Sequence, residues 1–290
     1  MSNSHFDSIR ELIYKESVDL ICGSGRAIKV LKDSQAMQIA DSCNCTLKQV
    51  YLEALKIEIS PCRYVRNRET ISNREQLRLM ESTVAVVGAG GLGGNVILLL
   101  ARLGIGHLVV VDNDVFDETN LNRQALCINS ALGKPKVNEA VAMVEAINPG
   151  VAVLPYNLML DVSNAEAVLS GSDVIVDGLD NIPGRFVVEK AAESLCIPLV
   201  HGALSGFEGR IMTILPGDRS LACLYGKGSA AKDDAQSDDT FFGIPVLTSS
   251  VIATLQAVEV LKLILKRGSV FRKKMLHVDL ENSEFYGFSF

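Results

Sequence analysis

A chain of 290 residues with 48% hydrophobic content is long enough for one large α/β domain plus a small appendage, and extensive disorder is excluded. Its formal charge of -6 leaves no surplus of Lys and Arg for an extended nucleic-acid surface, which needs clustered cations to displace counterions. The cysteines at 22, 43, 45, 62, 127, 196 and 223 follow no repeating frame, which fits a reducing cytoplasm better than a disulfide framework.

The first residues carry no cationic stretch leading into an apolar run, so no secretory signal is expected. Residues 1 to about 60 have the texture of short helices. Ile9, Leu12 and Ile13 open one amphipathic series, which Gly23, Ser24 and Gly25 break. Met37, Ile39 and Ala40, then Leu47, Val50, Tyr51 and Leu55, predict two helices joined by a tight turn. That outline is shared with helix-turn-helix units. Lys48 and Lys56 are set against Asp41, Glu53 and Glu58, however, so there is no positive recognition face, and a packing or protein-docking role is favoured over DNA binding. Cys43 and Cys45 are too closely spaced for one side of a zinc site. Ser60-Pro61 punctuates a boundary between a helical appendage over 1–60 and a nucleotide-binding domain over 61–290. Taken alone, the basic run from Arg63 to Arg68, which includes Arg66, reads as a solvated linker.

Residues 84–87 predict a β-branched strand, and Gly88, Gly90 and Gly93 supply the spacing G-x-G-x-x-G. Val96, Leu99, Leu100 and Leu103 recur at helical intervals until Gly104, and a second strand ends at Asp112. Glycines suit such a turn because its backbone N–H groups must approach a phosphate closely at a positive helix N-terminus. A strand-end carboxylate such as Asp112 can accept hydrogen bonds from ribose hydroxyls. By itself this unit fits an NAD-binding Rossmann domain as well as any other nucleotide. Beyond it lie Asn120-Leu121-Asn122-Arg123-Gln124 and Gly133-Lys134-Pro135-Lys136, the latter opening a helix that ends at Asn148-Pro149-Gly150. Cations and amides thus gather beyond strand ends, where open α/β sheets bind ligands. Strands are expected over 151–155 and 174–176. The second ends in Asp177-Gly178-Leu179-Asp180-Asn181, where Asp180 can cap a helix or hold Mg²⁺ against a triphosphate. Strands over 199–203 and 210–215 continue the sheet, and the aperiodic stretch 217–243 reads as a long functional loop. The apolar helix from Val246 to Leu265 is interrupted by Gln256, Glu259 and Lys262, which argues against a membrane span. Two strands near 275–280 and 284–288 end the chain.

The segments G-A-G-G-L-G, D-x-D, N-L-N-R-Q, G-K-P-K and D-G-L-D-N, in this order and spacing, resemble the MoeB/ThiF/HesA adenylyltransferases, bacterial relatives of ubiquitin-activating enzymes, over residues 60 to 290. The resemblance outweighs the dehydrogenase reading, since a nicotinamide enzyme has no use for a second cluster of triphosphate-binding cations. It implies an α/β fold: a Rossmann-like nucleotide-binding domain with a mixed, largely parallel sheet. It also implies a reaction in which ATP, with Mg²⁺, activates the C-terminal Gly-Gly carboxylate of a small ubiquitin-like sulfur-carrier protein as an acyl-adenylate. That nucleophile is already ionised, so catalysis would rest on neutralising its repulsion from the nucleotide and stabilising the departing pyrophosphate. By resemblance, Gly90 and Gly91 lie at the nucleotide and Asp112 takes the ribose. Asn120 and Arg123 face the phosphates, Asn122 also belongs to the nucleotide-binding set, and Lys136 contacts the α/β region. Asp180 positions Mg²⁺ with Asn181 beside it, and Arg66 reaches the γ-phosphate from the opposite subunit of a homodimer.

The chain also departs from that pattern. The paired C-x-x-C motifs of zinc-binding relatives are reduced to Cys223, so no zinc is expected. The loop where some relatives place a reactive cysteine holds Asp238, Asp239 and Thr240, and Cys223 reads as a packing or surface residue. Two other readings stay open: a non-catalytic ATP-binding interaction partner, and ATP activation of a peptide or a modified tRNA base. On the leading reading the protein is cytoplasmic, with neither nucleic acid nor membrane as a partner.

Overall fold

The computed structural model describes residues 3–21, 23, 25–218, 221–226 and 243–290. Strand β4 (Thr83–Val87) has apolar side chains at every position from Val84 onward, all buried, as a strand covered on both faces requires. Its alternation splits them between two cores. Val84 and Val86 join a cluster with helices α5 (Gly91–Leu103), α6 (Lys136–Ile147) and α10 (Val246–Leu265). Ala85 and Val87 face α7 (Ala165–Leu169) and α8 (Ile182–Ser194) on the other side. Strands β5 (His107–Val111), β6 (Ala152–Tyr156), β7 (Val174–Asp177) and β8 (Leu199–Ser205) run parallel with β4. Strands β9 (Glu208–Ile214), β10 (Lys274–Asp279) and β11 (Glu284–Ser289) extend the sheet antiparallel. The order β11-β10-β9-β8-β7-β4-β5-β6 gives the expected mixed sheet. Because β4 is flanked by β5 on one side and β7 on the other, the chain reverses its winding there, which opens a crevice at the strand ends.

The turn from β4 into α5 depends on glycine. Gly88 has φ +93, and a Cβ on Gly93 would stand 1.8 Å from the Gly88 carbonyl oxygen. Helix α10 is long and apolar enough to cross a membrane by composition, yet Thr248, Ser249, Ile252, Ala253, Gln256 and Glu259 are buried against the sheet and α5. The Gln256 amide donates to the carbonyls of Asp177 (2.8 Å) and Val200 (3.2 Å). The Glu259 carboxylate accepts from Thr213 Oγ1 (2.6 Å), Lys262 Nζ (2.7 Å) and the Phe271 N–H (2.6 Å). A core helix with paired polar groups accounts for this pattern.

The N-terminal residues form α1 (Asn3–Glu16), α2 (Asp33–Cys43) and α3 (Leu47–Lys56). As expected, α2 and α3 pair across a tight turn, with Asn44 left-handed at φ 49 and a Thr46–Gln49 capping box. The helical reading omitted a small sheet of β1 (Val18–Ile21), β2 (Ala27–Leu31) and β3 (Ser60–Pro61), whose strands are too short to show a clear period. Ile9, Ile13, Leu31, Ile39, Val50 and Tyr51 form a second core, which Tyr64 and Met80 enter from beyond residue 60.

The linker reading of 63–68 is corrected. Cys62–Asn67 is a 3-10 turn held at several points: Arg63 pairs with Asp33 (2.5 Å) and donates to the Ile147 carbonyl (3.2 Å), and the Tyr64 hydroxyl accepts from Asn148 Nδ2 (2.8 Å). These partners lie 30 and 84 residues away in sequence, so local charge pattern could not reveal them. Arg66, on the same turn, is exposed.

Candidate active site

A cavity of about 760 Å³ occupies the crevice at the ends of β4, β5 and β7. Gly90 caps α5 without any side chain to satisfy the helix's first N–H groups, and Gly90, Gly91 and Leu92 line the cavity. The positive end of α5 therefore faces open space, as an anion site requires. Gln124 lines the same wall, its amide 3.7 Å from where a Cβ on Gly90 would be.

Asp112, at the end of β5, ties this turn to the next loop. Its Oδ2 accepts the Ala89 N–H (2.7 Å) and its Oδ1 the Asp114 N–H (2.8 Å). Burial pushes the Asp112 carboxyl above its ordinary value, while these two N–H groups and Lys136 pull the other way. Each oxygen keeps a further lone pair, enough for a ribose hydroxyl. Lys136 opens α6 directly after Pro135 and is only 6% exposed. Its Nζ lies 3.0 Å from Asp114 Oδ2 and 5.9 Å from the centre of the Phe116 ring, which aims the ammonium along the cavity wall.

Arg123 also lines the cavity, with NH1 donating to the Thr119 carbonyl (2.8 Å) and to Asn122 Oδ1 (3.1 Å). The two asparagines of the motif stand elsewhere. Asn120 is buried and closes a cap, its Oδ1 accepting the Asp117 N–H (3.2 Å), and Asn122 is exposed outside the cavity lining. Here they hold the loop that presents Arg123 and Gln124.

After β7, the structure separates the two roles open to Asp180. Asn181 is the N-cap of α8, its Oδ1 accepting the Gly184 N–H (2.8 Å), so Asp180 is exposed into the cavity, its Oδ1 accepting a 3.3 Å hydrogen bond from Asn181 Nδ2. Asn181→Ala is expected to lower stability by about 1 kcal/mol, read as a shift in the denaturation midpoint. An unchanged midpoint would remove the cap from Asn181. Among the described residues no group of three or more His, Cys, Asp or Glu could hold a metal ion. A divalent ion at Asp180 would therefore take its remaining ligands from phosphate oxygens and water, as Mg²⁺ ordinarily does.

Gly90, Gly91, Asp112, Arg123, Lys136, Asp180 and Asn181 thus converge on one cavity, whereas Arg66 is not among its lining residues. Arg185, which sequence reasoning passed over, also lines it. On α8 it reads as an ordinary helix charge; in the fold it is 4% exposed, and its NH2 donates to the Leu179 carbonyl at 2.8 Å. Cys223 stands apart, on α9 (Ala222–Tyr225), lining a separate hollow with Asp218, Lys273 and Phe290. Asp238, Asp239 and Thr240 lie outside the described residues.

Comparison with known proteins gives a consistent picture. The model of the ThiF family matches residues 64–289. The SAMP-activating enzyme E1 of Haloferax volcanii is 37% identical over 225 residues, which cover 77% of this chain and 83% of that protein. The sulfur carrier protein adenylyltransferase of Thermus thermophilus is 34% identical over 219 residues, 72% of this chain and 79% of that one. Other curated relatives are longer, and the chain spans 47% to 54% of their length. Among solved structures, E. coli MccB with ATP superposes with a TM-score of 0.69 at 20% identity, covering 88% of this chain and 82% of that one; this likeness speaks for the fold alone.

Proposed function

Since the chain belongs to the ThiF family and is an ATP-dependent adenylyltransferase of the ubiquitin-like-modifier-activating type, we propose that it adenylates the C-terminal glycine carboxylate of a small ubiquitin-like sulfur-carrier protein, releasing pyrophosphate. The observation that carries this reading is the convergence of Arg123, Lys136 and the N-terminus of α5 on one cavity, with the exposed Asp180 carboxylate also on its wall. Two cations and a helix end suit a triphosphate, and a carboxylate beside them suits its magnesium. The names of the two relatives above, one activating SAMP and the other acting on a sulfur carrier protein, support the acceptor class.

In this proposal Gly90 and Gly91 meet the nucleotide through their backbone and Asp112 takes the ribose. Arg123 and Lys136 neutralise the phosphates as the acceptor carboxylate attacks the α-phosphorus and pyrophosphate departs. Mg²⁺, when bound, screens the nucleotide's charge, and Asp180 is the residue that would hold it. Asn120 and Asn122 support Arg123 from behind. The enzyme works as a homodimer to which Arg66 is contributed across the interface, carries no structural zinc, and acts in a reducing, cytoplasmic setting on a carrier ending in Gly-Gly.

The test is ATP–pyrophosphate exchange by the full chain against purified candidate carriers, with nucleotide binding followed by calorimetry. Exchange is expected only when a carrier with a free C-terminal glycine and Mg²⁺ are both present, and Mg-ATP should bind where NAD does not. Binding of NAD with no response to Mg-ATP would sink the reading.

A further inference from the structure

Below the cleft floor, four side chains from four elements close a polar ring: Asp177 at the end of β7, Arg185 on α8, His201 on β8 and Tyr225 on α9. Asp177 and His201 have no exposed surface. His201 Nδ1 lies 2.7 Å from Asp177 Oδ2, and its Nε2 lies 3.2 Å from the Tyr225 hydroxyl. Arg185 NH1 donates to that hydroxyl at 2.7 Å, and Arg185 Nε stands 3.7 Å from Asp177 Oδ2.

The protons in the ring can be assigned. A guanidinium only donates, so the tyrosine oxygen accepts from Arg185, and its own hydrogen is free to be given to His201 Nε2 in an arrangement that uses both contacts. In that arrangement Nε2 is bare and the imidazole is neutral with its hydrogen on Nδ1, directed at Asp177. Burial favours the same state, pushing the His201 pKa down against the pull of Asp177. The ring therefore holds one positive and one negative charge bridged by two neutral groups.

Its grip falls on Leu179. Asp177 Oδ1 accepts the Leu179 N–H at 2.9 Å and Arg185 NH2 donates to the Leu179 carbonyl at 2.8 Å, so both backbone groups of the residue before Asp180 are fixed. Three buried polar side chains and a half-buried tyrosine are a poor way to fill space, since apolar groups of similar volume often stabilise more; what such a ring adds is direction. We propose that Tyr225 and His201 are positioning residues for adenylation: by holding Arg185 and Asp177 on either side of Leu179, they fix where Asp180 meets the phosphates and their metal. This rests on the role given to Asp180 above. It also links α9, which carries Cys223, to the nucleotide site through one hydroxyl.

Two measurements on the full chain test this, and neither needs a carrier protein. With four histidines in the chain, ¹⁵N-histidine NMR compared with His201→Asn assigns the His201 signal, and the expected state is the neutral Nδ1–H tautomer. An Nε2–H tautomer or an imidazolium near neutral pH would overturn the assignment and the proposal with it. Calorimetry then compares Mg-ATP with AMP, whose single phosphate needs no metal. Tyr225→Phe removes one hydroxyl and is expected to weaken Mg-ATP about tenfold while changing AMP less than about twofold, with His201→Asn, which keeps an N–H toward Asp177, losing less. Equal loss for both nucleotides would mean general loosening and would overturn the proposal, as would no loss. Asp180→Asn is the reference. Loss of Mg-ATP affinity there, with none in Tyr225→Phe, overturns this inference alone, whereas no loss in Asp180→Asn overturns the role of Asp180 and this inference together.

Discussion

Asp180→Ala is expected to lower carrier-dependent pyrophosphate exchange by about 10³-fold or more while leaving stability within about 0.5 kcal/mol of the parent. The two halves of this expectation have separate grounds. Stability should hold because Asp180 is exposed, its hydrogen bond to Asn181 is a long 3.3 Å, and the cap of α8 belongs to Asn181. Activity should fall because, among the carboxylates lining the cavity, Asp112 is engaged by two backbone N–H groups, Asp114 by Lys136 and Asp161 by the Ser163 N–H and hydroxyl, which leaves Asp180 better placed to take a divalent cation. Removing one well-placed electrostatic stabiliser of a transferring phosphoryl group commonly costs several kcal/mol of barrier. Exchange rates and a thermal melt on the same preparation decide it: parental exchange would strip Asp180 of its role, and a large drop in the melting temperature would make it a structural residue.

Arg66→Ala should be as damaging, and its loss should be curable by a partner. Arg66 is exposed and does not line the cavity of its own chain, yet its turn is clamped by Arg63, Tyr64 and Asn148, a rigid mount for a side chain that reaches outward. An isologous two-fold interface would let each subunit place this guanidinium on the terminal phosphates of the other. Arg66→Ala and Asp180→Ala dimers should each be inactive. When the two are mixed equally and exchange subunits, half the dimers are hybrids, and each hybrid has one site with both residues and one with neither, so roughly a quarter of the parental activity should return. No recovery at any ratio, with exchange confirmed by native mass spectrometry, would reject action across the interface.

The elements that could be read from sequence are those whose signals are local. The glycine turn, the β-branched strands, the helix pair at 33–56 and the long helix at 246–265 each carry their period or punctuation within a few residues, and each was found close to where it was expected. The side chains gathered at strand ends were legible for the same reason, because position at the end of a parallel strand follows from the order of elements. What escaped depends on partners distant in sequence. His201 and Asp177 are 24 residues apart, and Arg185 and Tyr225 are 40, so neither pair leaves a periodic trace. Asn120 and Asn122 show a different limit: the motif's letters do not say that the loop turns one side chain inward to a cap and leaves the other outside the cavity.

The polar side chains buried along α10 also bear on how the chain is made. The Gln256 amide nitrogen and the Glu259 carboxylate find partners in Asp177, Val200 and Thr213, all synthesised earlier, and in Phe271, a few residues later. During vectorial synthesis α10 follows the strands from β4 to β9, and it docks beside α5 into a slot whose hydrogen-bonding groups are already waiting. The nucleotide crevice, whose floor that helix supports through the Asp177 carbonyl, is therefore completed only after the glycine turn, Lys136 and Asp180 have all been made. The Rossmann half, made first, lacks its full core until α10 arrives.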